Sequence, residues 1–176
     1  SFSKTDTDAT FMRMKEDHMK NGQLKPGYNL QVSTNNQYIT HYSIHQATTD
    51  TTTLKEHLTD FKTEYQTMPA VVTADAGYGS EENYAYLEQN NITAYVKHSQ
   101  FDREQNENLQ SKKPFSADKL YYNQEQDYYV CPMGQHMENS GSYNKKTAAG
   151  FIQTITQYES KNCNGCPLNG TCHKSK

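Results

Sequence analysis

The sequence predicts an α/β fold, with flanking helices packed on a mixed β-sheet, followed by a small cysteine-rich β module. Two observations lead to this prediction. A β-hairpin pattern precedes segments that alternate between helical and strand periodicity, an order typical of mixed sheets covered by helices. All four cysteines lie beyond residue 130, in a region too poor in apolar residues to build a large core.

The predicted sheet begins after a polar lead-in. Residues 1–27 are polar and rich in turn-forming side chains, so we expect them to be irregular. Residues 28–99 form the predicted α/β part. Apolar and polar side chains alternate from Tyr28 to Val32, and a β-branched and aromatic run follows at residues 38–44. This pattern predicts an antiparallel hairpin.

Helical and strand patterns then alternate. Four residues recur at helical spacing: Leu54, Leu58, Phe61 and Tyr65. Asp50 or a neighbouring threonine can cap this helix. The short apolar segment at residues 70–74 is typical of a strand buried on both faces. A second helix capped by Ser80, with Leu87 facing inward, and a strand at residues 92–96 complete the predicted sheet.

The C-terminal part is predicted to be a separate module. Residues 100–119 are charged and rich in amides, which is typical of a loop or insertion. Two aromatic runs, at residues 120–122 and 128–130, predict a second hairpin that leads to Cys131. We therefore assign residues 120–176 to a cysteine-rich module.

Composition limits both the core and the partners. Only 33% of residues are hydrophobic, there is no Trp, and there are 14 tyrosines, so tyrosine must contribute to packing. A net charge of −3 does not indicate a nucleic-acid binder. From Lys145 onward, however, five lysines stand against the single acid Glu159. This part either faces a phosphate backbone or is a solvated surface. His41 and His45 share one face of a predicted strand, most simply a polar face.

No segment of the sequence resembles a transmembrane helix or a secretion signal. We therefore expect a cytoplasmic protein without a membrane partner. In a reducing compartment, four cysteines are not expected to form structural disulfides. Metal binding and unrelated thiols are the remaining interpretations.

Asp75 is the leading candidate for a catalytic residue. It follows the predicted strand at residues 70–74 and precedes a glycine-containing loop and a helix. Open α/β sheets bind their ligands at this edge. An aspartate in such a loop is also commonly a cap or turn residue, so the pattern alone leaves both roles open. Tyr78, in the same loop, is expected to be a core tyrosine, and the alternatives are packing beside the site or contact with DNA.

Three segments resemble a known family. They are KPGYNLQ at residues 25–31, TDTTTL at residues 49–54 and ADAGYGS at residues 74–80. In this order they resemble successive blocks of bacterial DDE-type insertion-sequence transposases, in particular the branch whose catalytic domain carries a cysteine-rich insertion. The resemblance covers nearly the whole chain, and three blocks in order are more specific than any one alone.

The resemblance implies an RNase H-like fold and a DNA substrate. In that family two Asp and one Glu hold two Mg²⁺ or Mn²⁺ ions, and Asp75 matches the second Asp. Hard divalent ions prefer oxygen ligands, and two ions about 3.5–4 Å apart activate the attacking oxygen and stabilise the leaving oxygen. The implied activity is cleavage and joining of DNA strands at mobile-element ends, by a protein that is a homo-oligomer when complete.

The other two carboxylates of the family have no clear counterpart in this sequence. The first Asp is expected upstream of Ser1 and the Glu beyond Cys172, so we expect this chain alone to be inactive. Asp6 and Asp8 lie in the polar lead-in, where cap or turn roles account for them. Asp50 either caps a helix or contributes to the metal site. The alternative function is a non-catalytic DNA-binding or structural zinc module from a decayed mobile element.

The cysteines are spaced like the ligands of one metal ion. The candidate ligands are Cys131, Cys163, Cys166 and Cys172. The C-x-x-C turn offers two thiolates, and the other two cysteines complete a tetrahedral site. We expect Zn²⁺, because a closed zinc site supplies folding free energy to a small module. An iron–sulfur cluster and a redox-active C-x-x-C pair are the alternatives. His136 and His173 are close enough in sequence to replace one cysteine.

Overall fold

A computed structural model of the chain describes residues 3–13, 22–106 and 115–172. The chain divides into two units, Ser1–Asp102 and Arg103–Lys176. We describe each unit by itself. No helix in the described part of the chain is long and apolar enough to cross a membrane.

The first unit begins with a pair of short antiparallel strands, β1 (Thr10–Arg13) and β2 (Leu24–Gly27). They lie where the sequence indicated an irregular lead-in. Pro26 lacks a backbone N–H, but such a residue is tolerated in an edge strand. Both strands of a two-stranded pair are edges, so Pro26 fits opposite Phe11.

The predicted hairpin is confirmed as β3 (Asn29–Asn35) and β4 (Tyr38–His45). The turn residue Asn36 has a φ of 49°, in the left-handed region that Asn tolerates better than most residues. The strand register shifts between Ser33 and Thr34. A bulge of this kind bends and twists the ribbon locally.

The first predicted helix is confirmed as α1 (Leu54–Tyr65), which follows a 3-10 turn at Asp50–Thr52. Capping by Asp50 or a threonine side chain was a wrong prediction. The N-cap residue Thr53 makes no side-chain cap hydrogen bond, and its hydroxyl donates instead to the Asp50 carbonyl oxygen at 2.9 Å. Asp50 therefore needs another explanation.

A parallel β-α-β unit follows α1. β5 (Val71–Ala74) leads through a 3-10 turn at Ala76–Tyr78 into α2 (Glu81–Gln89), and β6 (Thr93–Val96) returns parallel to β5. The predicted cap is confirmed, because the Ser80 hydroxyl accepts a hydrogen bond from the Asn83 backbone N–H at 3.1 Å.

The core of this unit lies between the two longer helices and the β5–β6 pair. Its buried residues are Leu54, Leu58, Leu87 and Ile92. Five partly buried residues pack against them: Met68, Val72, Tyr78, Tyr86 and Val96. Burial of one such aliphatic side chain contributes roughly 1.5–3 kcal/mol. This core fixes α2 against the strand that ends at Asp75.

The described residues do not form the single mixed sheet that the sequence predicted. The β3–β4 and β5–β6 pairs are separate two-stranded sheets. A cleft of about 580 Å³ is lined by residues 31–35 of β3 and by residues 69–74 at β5, with side chains of α1. Val71 is 54% exposed, so the prediction that this strand is buried on both faces was also wrong. The physical reason is that β5 pairs with β6 alone among the described residues.

The region predicted as a loop at residues 100–119 contains a short helix, α3 (Phe101–Gln105), and a 3-10 turn at Ala117–Lys119. Residues 107–114 lie outside the described residues. The predicted loop therefore has local order at both ends.

The second unit is a four-stranded antiparallel sheet in the order β10-β9-β8-β7. Its strands are β7 (Tyr122–Asn123), β8 (Tyr128–Val130), β9 (His136–Lys146) and β10 (Ile152–Ser160). The predicted second hairpin is confirmed as β7 and β8. None of residues 115–172 is buried.

Tyrosines take the place of an aliphatic core in this unit. The ring centroids of Tyr122 and Tyr129 lie 4.6 Å apart, and those of Tyr129 and Tyr158 lie 4.9 Å apart. Asp127 accepts hydrogen bonds from Tyr158, Tyr122 and Asn139. These bonds stabilise the carboxylate and lower the pKa of Asp127. The sheet is therefore stabilised by exposed aromatic and polar contacts.

Candidate active site and cysteine cluster

Asp75 lies at the C-terminal end of β5, as the sequence predicted. Its Oδ1 atom accepts a hydrogen bond from the Gly77 backbone N–H at 2.8 Å, which caps the following 3-10 turn. The residue is exposed. Among the described residues, Oδ2 of Asp75 has no hydrogen-bond or ion-pair partner. One oxygen thus fixes the orientation of the carboxylate, and the other is available to a ligand.

Asp50 and Asp75 approach each other at Gly77. A Cβ atom placed on Gly77 would lie 3.0 Å from Oδ1 of Asp75 and 3.2 Å from Oδ2 of Asp50. Oδ1 of Asp75 and Oδ2 of Asp50 are therefore no farther apart than these two distances added together. A side chain at position 77 would be crowded by both, so glycine allows the two acidic groups to lie close together.

A polar network holds Asp50 in place. Its Oδ1 atom accepts hydrogen bonds from Asn29 Nδ2 at 2.8 Å and from Gln31 Nε2 at 3.1 Å. The Gln31 Oε1 atom in turn accepts a hydrogen bond from the Tyr78 hydroxyl. Burial, and next the charges of Asp50 and Asp75, raise the pKa of Tyr78, so this hydroxyl remains a donor. The carboxylate of Asp50 is thus linked to the loop that follows Asp75.

Asn83, at the start of α2, connects the loop that contains Asp50 with the loop that follows Asp75. It is 1% exposed, and its Nδ2 atom donates to the carbonyl oxygens of Thr51 at 2.9 Å and Tyr78 at 2.7 Å. The Thr51 hydroxyl also donates to the Gly77 carbonyl oxygen at 3.1 Å. Asn83 was not predicted as a site residue from the sequence. The available signal was a polar residue four positions before Leu87, on the inward face of the helix.

The comparison with known families identifies the family of this chain. The profile of the Transposase DDE domain family matches residues 2–157. This chain belongs to the DDE transposase family. Neither the curated proteins nor the solved structures that were compared contain a match to it. Membership implies an RNase H-like α/β fold, a general function in DNA transposition and DNA as the partner.

DDE transposases generally use Mg²⁺ or Mn²⁺. The chemistry of the residues at Asp75 fits such an ion, because an oriented carboxylate with one available oxygen is the kind of ligand that hard cations prefer. In the described part of the chain, no three His, Cys, Asp or Glu side chains come close enough to hold a metal ion. The described residues thus bring two carboxylates together here, those of Asp75 and Asp50, without a third such ligand.

Asp6, one of the two lead-in acids, has a structural role. Asp6 accepts hydrogen bonds from the Tyr28 hydroxyl at 2.8 Å and from the Asp8 backbone N–H at 3.1 Å. These contacts confirm that turn formation accounts for Asp6. The hydrogen bond to Asp6 is the main cause of the raised pKa of Tyr28.

The strand histidines form part of a buried network rather than a solvated polar face. His57 of α1 contacts the hydroxyls of Ser33 and Ser43, each at 2.6 Å, and Ser43 contacts His45 at 2.7 Å. The ring of His41 lies 4.8 Å from that of His57. Burial, and next the neighbouring histidines, lower the pKa of His57 to about 4. This network joins the β3–β4 hairpin to α1.

The four cysteines line one cavity of about 520 Å³ in the second unit. All four are free and half-buried. Burial is the main cause that raises the pKa of Cys172, and the other three cysteines add to it, which reflects their proximity. Cys163 also contacts the Ser160 hydroxyl at 2.9 Å. The cysteines share a cavity but, in the described residues, do not converge into a compact metal cluster.

His136 and His173 were the two histidines predicted as substitute ligands. His136 stacks on Tyr128 with a ring-centroid distance of 3.9 Å. His173 lies outside the described residues. The family match ends at residue 157, before three of the four cysteines.

Proposed function

We propose that this chain is part of a DNA transposase that cleaves and joins DNA strands at mobile-element ends, with Asp75 as one ligand of a catalytic Mg²⁺ or Mn²⁺ ion. The observation that carries the proposal is the carboxylate of Asp75, oriented by Gly77 and with one oxygen available at the end of a parallel strand. When bound, two such ions activate the attacking oxygen and stabilise the leaving oxygen.

The residues around Asp75 have a positioning role in this proposal. Gly77 orients the carboxylate through its backbone N–H. Asn83 and Thr51 hold the carbonyl groups that follow Asp75, so the loop is fixed before an ion binds. A fixed ligand needs little reorganisation at the moment of reaction. Asp50 anchors the same loop through Gln31 and Tyr78.

The cleft between β3 and β5 is an argument that the catalytic core is incomplete. In the RNase H-like fold that the resemblance implies, the strand with the first catalytic Asp lies in the middle of the sheet. We propose that such a strand occupies this cleft in the complete transposase, where it would pair with the edges of β3 and β5. The family's Glu would complete the site. One such carboxylate does not hold two ions, so the isolated chain is expected to be inactive.

We also propose a structural Zn²⁺ ion bound by Cys131, Cys163, Cys166 and Cys172. Support comes from their shared cavity and from the absence of buried residues in residues 115–172. Zinc binding would draw the four thiolates together and supply folding free energy that this unit otherwise lacks. The expected homo-oligomer of the complete protein remains a prediction.

Catalysis by the complete transposase tests the role of Asp75. Asp75→Asn should reduce DNA cleavage and strand transfer by about 10³-fold or more, because it weakens an ion ligand, while DNA binding is retained. Asp6→Asn is the matched control and should retain activity, because among the described residues the hydrogen bonds of the Asp6 side chain go to Tyr28 and Asp8. Normal cleavage by Asp75→Asn would contradict the proposal. DNA binding without cleavage by the unaltered complete protein would favour the non-catalytic alternative.

A further inference from the structure

The longest hairpin of the second unit extends beyond the sheet that carries it. β9 pairs with β8 only over residues 136–138, whereas its pairing with β10 continues to Lys146 and Ile152. Residues 139–158 therefore form a two-stranded ribbon with its terminal turn. We call these residues the arm.

Beyond its base, where Tyr158 stacks on Tyr129 and Asn139 bonds to Asp127, packing does not account for the arm. No residue in it is buried, and every β9 residue from Glu138 to Lys146 is exposed. A two-stranded ribbon without a packed face is at best marginally stable in water. A surface role is therefore the more economical explanation for an exposed hairpin of this length.

The charge of the arm differs from that of the chain. Lys145 and Lys146 are its only charged residues, although the whole chain has a net charge of −3. The nearest acids on these strands, Glu138 and Glu159, lie opposite each other at the base of the arm. Lys161 pairs with Glu138 there at 2.9 Å. The basic charge is thus concentrated towards the tip.

The two lysines lie on opposite faces of the ribbon, because neighbouring residues of a strand alternate in direction. Hydroxyl and amide groups share the face of Lys146: Ser142, Asn144, Thr154 and Thr156. The Thr154 hydroxyl donates to Asn144 Oδ1 at 3.2 Å. A register shift at Gln157 and Tyr158 separates this polar ribbon from the base and adds twist.

We propose that the arm enters the major groove of duplex DNA, with Lys145 and Lys146 on the phosphates of the two strands that border the groove. A two-stranded β-ribbon fits the major groove, which is about 12 Å wide. Lysines on both faces match the negative charge on both walls of the groove. Ser, Thr and Asn side chains are common donors to phosphate oxygens. The inference rests on the proposed function for its DNA partner.

The salt dependence of DNA binding by the purified chain tests this proposal. Binding to a short duplex of mixed sequence is measured across a series of salt concentrations. The double variant Lys145→Gln with Lys146→Gln should reduce the slope of log K against log salt by about 2, since each lost phosphate contact removes about 0.9. The control Lys161→Gln should leave the slope nearly unchanged, because Lys161 pairs with Glu138.

A groove-specific probe sharpens the test. Dimethyl sulfate modifies guanine N7 in the major groove and adenine N3 in the minor groove. The unaltered chain should protect guanine N7, and the double lysine variant should not. An unchanged salt slope in the double variant, no duplex binding by the unaltered chain, or protection of adenine N3 alone would each overturn the proposal.

Failure of the arm proposal can be distinguished from failure of the proposed function. Asp75→Asn tests catalysis and should not change the salt slope, because Asp75 makes no phosphate contact in this account. Full activity of Asp75→Asn, with loss of slope in the lysine variant, would remove the catalytic role and keep the arm. The reverse pair of results would remove the arm and keep the catalytic role.

Discussion

The two units of this chain use different means of stabilisation. In residues 3–102, four buried aliphatic side chains form a core beneath the loop of Asp75, and Asn83 is buried against two backbone carbonyl groups. In residues 115–172 no residue is buried, and tyrosine stacking with an exposed Asp127 network replaces a core. The first unit can therefore hold Asp75, the proposed catalytic residue, in a fixed position. The second unit lacks such a core, and the proposed zinc ion would supply the additional stability.

The largest expected effect is loss of the second unit on zinc removal. Binding of a structural zinc is coupled to folding and contributes on the order of 10 kcal/mol in small zinc modules. Chelation, or Cys163→Ser, should abolish amide protection in residues 120–172 while the protection of α1 and α2 persists. Hydrogen exchange followed by mass spectrometry measures both units in one sample. Metal-free protein with unchanged protection in residues 120–172 would remove zinc from the account.

A core substitution should destabilise the first unit and spare the second, the reverse of the effect of zinc removal. Leu87 is fully buried, so Leu87→Ala should cost about 2–5 kcal/mol in the first unit and leave the second unit unaffected. Ile152→Ala, at an exposed aliphatic residue of β10, is the control and should cost less than about 0.5 kcal/mol. Denaturant titration, together with hydrogen exchange measured separately in each unit, checks the two variants. Equal destabilisation of both units by Leu87→Ala would contradict the claim that a buried core stabilises the first unit alone.

The buried asparagine should matter more than the half-buried asparagine that caps the C-terminal end of the same helix. Asn83→Ala removes two hydrogen bonds to carbonyl groups beside the Asp75 loop and should cost about 1–3 kcal/mol. Asn90→Ala is the matched control, because Asn90 Nδ2 also donates to a carbonyl oxygen, that of Tyr86, at 2.8 Å. In the complete transposase, Asn83→Ala should also lower the cleavage rate. Similar rates for the two variants would show that Asn83 does not position the loop.

A pH dependence is also expected of the first unit. The pKa of His57 is about 4 in the folded chain and about 6.5 when unfolded, so the unfolded state binds more protons between these values. Stability contributed by neutral His57 is present above pH 6.5 and declines as pH falls towards 4. His57→Gln should weaken the fall in the thermal midpoint over this range. A fall of the same size in that variant would exclude His57 as its source.

Sequence patterns predicted the elements that depend on local chemistry. Helical spacing identified α1, and Ser80 was correctly placed as the cap of α2. Asp75 was placed correctly at a strand end because strand, glycine loop and helix follow one another directly. The missed features depend on tertiary contacts. Asn83 binds carbonyl groups of two separate loops, and no local pattern encodes that contact.

The single mixed sheet was predicted from the order of the elements along the chain. Element order does not determine which strands form hydrogen bonds with each other. Among the described residues, β3 and β5 line one cleft without pairing. The length of the arm was missed because β9 and β10 are rich in hydroxyl and amide side chains and lack the apolar alternation that marks a half-buried strand. Polar ribbons of this kind are the least predictable elements of this chain.

Metal preference in the complete transposase tests the central claim most directly. Asp75→Cys replaces an oxygen ligand with sulfur, which Mg²⁺ accepts poorly and the softer Mn²⁺ tolerates better. The account predicts that this variant does not cleave DNA in Mg²⁺ and regains measurable cleavage in Mn²⁺. Asp50→Cys serves as the control and should show no such gain. Cleavage by Asp75→Cys at the unaltered rate in Mg²⁺, or no difference between the two ions, would contradict a direct role of Asp75 in ion binding.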